Sequence, residues 1–138
     1  MIQEDKELLL TDLCARLRYG IKCHFKYGTS EGDIILKCID GNVARFDYGW
    51  YGKFHVIIDP QYIKPYLRPM SSMTKEEKNE YRMFIDYSYN DFTSESFPCV
   101  YVDKINDYLD WLNKNKFDYR GLIPMGLALE APEGMYNN

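Results

Sequence analysis

The chain has 138 residues, 46% apolar and 28% charged, which fits one globular domain and excludes the low-hydrophobicity, high-charge regime of disordered chains. Its net charge of −4 is unevenly placed: Met1 to Met70 carry ten Lys and Arg against nine Asp and Glu, and Ser71 to Asn138 carry seven against twelve, so a chain-wide attraction to nucleic acid is not expected. No stretch approaches the roughly 18 uninterrupted apolar residues of a membrane span, and the acidic start Met1-Ile2-Gln3-Glu4-Asp5-Lys6-Glu7 is unlike a signal peptide, so a cytoplasmic location without a membrane partner is expected.

Leu9, Leu10, Leu13, Cys14 and Leu17 recur at spacings of three and four and predict a helix over roughly Glu4 to Leu17, with Gly20 as its stop. The period then drops to two. Ile21, Cys23, Phe25 and Tyr27 alternate with Lys22, His24 and Lys26, the pattern of a strand with one wet face. Gly28 to Gly32 reads as a loop, and Asp33 to Ile39 as a second strand, apolar on both faces and therefore central. Asp40-Gly41-Asn42 supplies a turn into a third strand, Val43 to Tyr48. The loop Gly49-Trp50-Tyr51-Gly52 leads to a fourth, Lys53 to Ile58, with Phe54, Val56 and Ile58 inward beside Phe46. Short connections imply an antiparallel meander, which can curl into a small SH3-like barrel.

Asp59-Pro60 ends this sheet, and Pro65 and Pro69 keep Ile63 to Met70 extended. Thr74 with Glu77 forms a capping box opening a helix from about Lys75 to Tyr87, with Tyr81, Phe84, Ile85 and Ser88 toward the core. A third helix spans about Tyr101 to Asn115, with Tyr101, Ile105, Tyr108, Leu109 and Leu112 on one stripe and Asp103, Asp107 and Asp110 outside it. The apolar run from Gly121 to Leu129 lacks helical period and should dock on the core. The fold class is α+β in a single domain, 1–138: helix plus sheet (1–59), an extended connector (60–73) and an acidic helical half (74–138).

Three segments, residues 8–17 (LLLTDLCARL), 64–77 (KPYLRPMSSMTKEE) and 117–132 (FDYRGLIPMGLALEAP), resemble stretches of a large set of small uncharacterised proteins of gut anaerobic bacteria, their phages and mobile elements. The resemblance covers both ends and the connector but not the strands, and Arg18 stands where it leads one to expect proline. It implies a bacterial or phage origin and a constant frame around a changeable sheet. It implies no catalytic residue, cofactor or activity.

The remaining constellations are weighed from the residues. His24 and His55 alternate with core positions and face outward, and closing the meander would bring their strands together; no H-x-x-E-H or H-E-x-x-H accompanies them, so two unrelated surface histidines are the simpler reading. Cys14 on the first helix stripe and Cys23 and Cys38 at inward strand positions read as buried reduced thiols, while Cys99, after Pro98, is the one candidate for reactivity. Glycine-rich phosphate loops are missing. The ring-rich turn Tyr48, Trp50, Tyr51 with Lys53 matches residue types enriched at binding hot spots, and the same rings can instead cap the core. Lys22, His24, Lys26, Lys37, Arg45 and His55 compose a cationic outer face of the kind that binds single-stranded nucleic acid, moderated by Glu31, Asp33 and Asp47. The expected function is a non-enzymatic protein-interaction or accessory module, its partner another protein or a second copy, with no cofactor and no metal. The alternatives are a nucleic-acid-binding accessory protein on the outer sheet face and a small hydrolase or nuclease built on scattered carboxylates with His24 or His55.

Overall fold

The computed structural model describes residues 1–40, 43–48, 54–85 and 99–136, with the backbone alone at 43, 47, 48 and 54–58. It is an α+β fold with an N-terminal helix, a mixed sheet and two further helices.

Helix α1 (Gln3–Arg16) carries Glu4 and Asp5 in its first turn and Arg16 in its last, as the helix dipole favours. A 3-10 turn, Leu17–Tyr19, follows, and Gly20 closes the helix at φ +76°, a left-handed conformation that costs glycine no Cβ clash. The buried face is Leu9, Asp12, Leu13 and Arg16, one column at helical spacing. Leu10 and Leu17 are half-buried. Cys14 is exposed, contrary to its expected place on the apolar stripe, because the charged pair Asp12–Arg16 rotates the buried arc away from it.

Strand β1 (Lys22–Tyr27) runs directly into β2 (Ser30–Asp40), Tyr27 pairing with Ser30 across the turn Gly28-Thr29. The expected five-residue loop is therefore a two-residue hairpin, opened by Gly28 at φ +60°. Ser30, Glu31 and Gly32 become strand residues as a result. β2 is interior to the sheet, but its faces differ: Ile34 and Leu36 are buried and Ile35 is exposed. Between Leu36 and Cys38 the register against β3 (Val43–Tyr48) shifts by one residue, a bulge that reverses the alternation. Ile39 then packs against the core, and Cys38, expected inside, is exposed. Cys23 is buried as expected.

β3 pairs with β4 (Phe54–Ile58), and Ala44 and Phe46 point inward. The inward placement expected of Phe54, Val56 and Ile58 falls on residues whose side chains lie outside the description.

The connector is not merely extended. Ile63–Leu67 forms β5, antiparallel to β1, with Ile63, Pro65 and Leu67 buried. Pro65 is tolerated because β6 (Leu129–Glu130) pairs only with Tyr66 and Leu67, so β5 is an edge at the residue that lacks a donor. The strand order is β4-β3-β2-β1-β5-β6. The sheet does not close into an SH3-like barrel: β5 occupies the free side of β1, and β2 and β3 separate β1 from β4, so His24 and His55 are not brought together by closure.

Helix α2 (Lys75–Arg82) opens on the expected capping box, the Thr74 hydroxyl accepting from Glu77 N at 3.2 Å and the Glu77 carboxylate from Thr74 N at 3.0 Å. It stops short of Tyr87; Ile85 instead bridges to Val100 and is buried, with Tyr81 and Phe84 half-buried and Ser88 outside the described residues. Helix α3 (Ile105–Lys114) follows a 3-10 turn, Val102–Lys104, and buries Tyr108, Leu112 and Asn113. Trp111 Nε1 donates to Glu80 of α2 at 2.6 Å.

Among the described residues the core has two parts. Leu9, Leu13, Phe25, Leu36, Phe46, Ile63 and Leu67 join the inner sheet face to α1, and Leu122, Leu127 and Ala128 complete this part, so the apolar tail docks as its composition requires. Ile85, Tyr108, Leu112 and Phe117 form the second, under α2 and α3.

Candidate functional site

On the outer face of β1 the alternation places Lys22, His24 and Lys26 opposite Ile35, Asp33 and Glu31 of β2, and His24 opposite Lys64 of β5. The two-residue turn creates this arrangement by drawing Glu31 and Asp33 into the strand. His24 Nδ1 lies 2.9 Å from Asp33 and Nε2 2.8 Å from Glu31, while the Tyr66 hydroxyl donates to Asp33 at 2.7 Å. Hydrogen bonding to Asp33, then to Glu31, raises the imidazole pKa; the bonds from His24 and Tyr66 hold the Asp33 carboxyl below its usual range. Burial, then Asp33, pushes the Tyr66 phenol up to about 12. An imidazole bonded to a carboxylate at each nitrogen is a strut across the sheet, and neither nitrogen is left to take a proton from a substrate.

The other residues expected on this face are dispersed. Lys22 donates to the Met135 carbonyl at 3.0 Å, Arg45 pairs with Asp40 at 3.2 Å, and Lys26 and Lys37 are exposed. His55 lies on β4 opposite Asp47, with two strands between it and β1. The face thus alternates in charge, with exposed Ile35 in its midst. Tyr48 ends β3, its side chain outside the description, and Trp50, Tyr51 and Lys53 lie outside the described residues altogether. Among the described residues no three His, Cys, Asp or Glu side chains are grouped to hold a metal ion. Nor, among the described residues, is any helix long and apolar enough to cross a membrane.

The surface that sequence reasoning missed lies on α3. The expected stripe includes Tyr101, Ile105 and Leu109, yet burial falls on Tyr108, Leu112 and half-buried Trp111, an arc turned to one side of it. The rotation follows from the aromatic cluster, in which Trp111 packs 5.4 Å from Phe117 and 5.9 Å from Phe84. What remains outside is a ridge: Val102 is 89% exposed, Met83 68%, Ile105 42% and Leu109 37%, with Tyr101 beside them. Lys104 Nζ donates to the Met83 carbonyl at 3.0 Å and lies 5.1 Å from the Tyr101 ring, tying the end of α2 to the start of α3. Asp103, Asp107 and Asp110 are exposed as expected, the latter two on a different face of α3 from Ile105 and Leu109, and Asp110 pairs with Arg18 at 3.3 Å. The ridge's signal in the sequence is an apolar arc wider than one helix contact can bury.

No family model matches the chain, and neither curated proteins nor solved structures provide a significant match.

Proposed function

We propose that the chain is a non-enzymatic protein-interaction module of a bacterial or mobile-element cytoplasm, docking a partner protein on the ridge at the start of α3. The observation that carries this reading is the exposure of Met83, Tyr101, Val102, Ile105 and Leu109 where the end of α2 is tied to the start of α3, since water-facing apolar side chains on one stretch of surface mark interaction sites. The occupation of both His24 nitrogens by carboxylates supports a binding role over a hydrolytic one. Nucleic acid on the outer sheet face is less well supported, because Glu31, Asp33 and Asp40 stand among its cations.

The test is a pull-down from a bacterial host with the wild-type chain and with Ile105→Asp, alongside sedimentation of the purified chain. A stoichiometric partner, or a dimer, that is lost in the variant while the thermal melt is retained is the expected result. A partner or dimer held equally by both proteins overturns the assignment of the ridge, and failure of the wild type to recover a partner or self-associate overturns the function.

A further inference from the structure

Away from the ridge, a cavity of about 250 Å³ opens between the start of β1, the end of α3 and the C-terminal turn. Lys22, Arg68, Lys114 and Lys116 line it with the rings of Tyr19 and Tyr136, and no carboxylate does so among the described residues. In a chain of net charge −4 this is a concentrated positive site.

The charges are unevenly compensated. Arg68 is taken up by Glu77 through two bonds, of 2.6 and 2.8 Å, and stacks on Phe117. Among the described residues the bonds of Lys22 and Lys116 go to neutral groups: Lys22 Nζ donates to the Met135 carbonyl at 3.0 Å and Lys116 Nζ to the Lys114 carbonyl at 2.7 Å. Lys116 Nζ also lies 5.2 Å from the Tyr136 ring centre and 6.0 Å from that of Tyr19, and Lys22 Nζ stands 5.8 Å from the same Tyr136 ring. Aromatic faces ease the burial of an ammonium group without cancelling its charge. Arg16 adds to the field from within, because its carboxylate partner Asp12 is shared with Arg120, leaving two guanidinium groups on one anion. The Lys116 pKa is correspondingly lowered, first by burial and then by Arg16 and Lys114.

Backbone geometry points the same way. Lys116 is the one non-glycine residue with positive φ among those described, at +64°. It sits just past the end of α3, where glycine is the residue that adopts this conformation without strain. The chain holds a buried lysine there instead, aimed between two rings in the cavity wall.

We propose that this cavity binds a small phosphate-bearing anion, with Lys22, Lys114 and Lys116 as its ammonium donors. A phosphate carries the two negative charges and several acceptor oxygens that a set of lysines can engage from different directions, and a monocarboxylate offers half that charge. The size suits a small molecule rather than a polymer. A neighbouring cavity of about 610 Å³ shares Arg68, Asn115, Met135 and Tyr136 and presents Glu130 and Glu133, acceptors for the hydroxyl groups of an attached sugar.

The experiment is calorimetric titration of the full chain with inorganic phosphate and with adenosine monophosphate, sodium chloride holding ionic strength constant. One-site saturation is expected, weakened tenfold or more in Lys22→Gln and in Lys116→Gln. Tighter binding of the nucleotide assigns the ligand as an organic phosphate, and equal binding as the free ion. Lys22→Gln guards against a fold defect in Lys116→Gln, and thermal melts of both accompany the titrations. An absence of saturable heat with either ligand overturns the proposal, as does unchanged affinity in the folded variants. None of these outcomes depends on the ridge at α3.

Discussion

Asp12 and Arg16 stand one turn apart on α1, both fully buried, joined by two hydrogen bonds of 2.9 and 3.0 Å. Arg16 also donates to the Phe117 carbonyl at 2.6 Å, which pins α1 to the segment after α3. Charges taken out of water are costly, and the partners on both sides replace part of the lost hydration, while Arg16 Nη1 finds no acceptor among the described residues.

Breaking the pair should therefore cost more than deleting it. Asp12→Ala leaves Arg16 buried without its anion and is expected to lower stability by about 3 to 5 kcal/mol. The double variant Asp12→Leu, Arg16→Met should recover much of that loss. Urea unfolding of the three proteins measures both, and a double variant as unstable as the single one would show that the pair stabilises the fold in its own right.

The His24 strut gives a pH signature. Its folded pKa is raised above the ordinary 6.5, so the stabilisation it brings is fully present below about 6.5 and is lost as pH rises through the folded value. Asp33 acts in the opposite sense: its folded pKa is lowered, so its contribution is present above the ordinary 3.8 and is lost as pH falls through the folded value. NMR titration of the His24 ring should give a midpoint above 6.5 in the wild type and a lower one in Asp33→Asn. Identical midpoints would mean that the contact does not persist in solution.

The capping box at α2 is a local device with a modest effect. Thr74→Ala removes the acceptor for Glu77 N and should cost about 1 kcal/mol. A thermal or urea melt reads it directly, and no change would show that α2 adds little to the cooperative unit.

The rotation of α3 can be read from paired substitutions. Leu112 is buried and Leu109 is not, although the sequence places both on one stripe. Leu112→Ala should cost about 2 to 5 kcal/mol, as should Leu13→Ala in α1. Leu109→Ser should stay within about 0.5 kcal/mol of the wild type. Equal losses at positions 109 and 112 would place the buried arc on the stripe after all.

Local signals were legible in the sequence. The stop at Gly20, the alternation of β1, the Thr74 cap and the docking of an apolar tail each depend on a few neighbouring residues and their period. Tertiary structure decided what depends on partners far along the chain. The β2 bulge exposes Cys38 because register against β3 is a pairing property, and Pro65 joins the sheet because β1 offers an open side. The Asp12–Arg16 pair is buried where Phe117 and Arg120, about a hundred residues away, each add one bond to it. The same holds for the sites: the ridge at α3 is exposed because aromatic packing turns the helix off its apolar stripe, and Lys22, Arg68 and Lys116 meet in one cavity only through the juxtaposition of β1, β5 and the end of α3. Side-chain spacing along a chain encodes which face an element can bury, but which partner buries it is set by the packing of the whole.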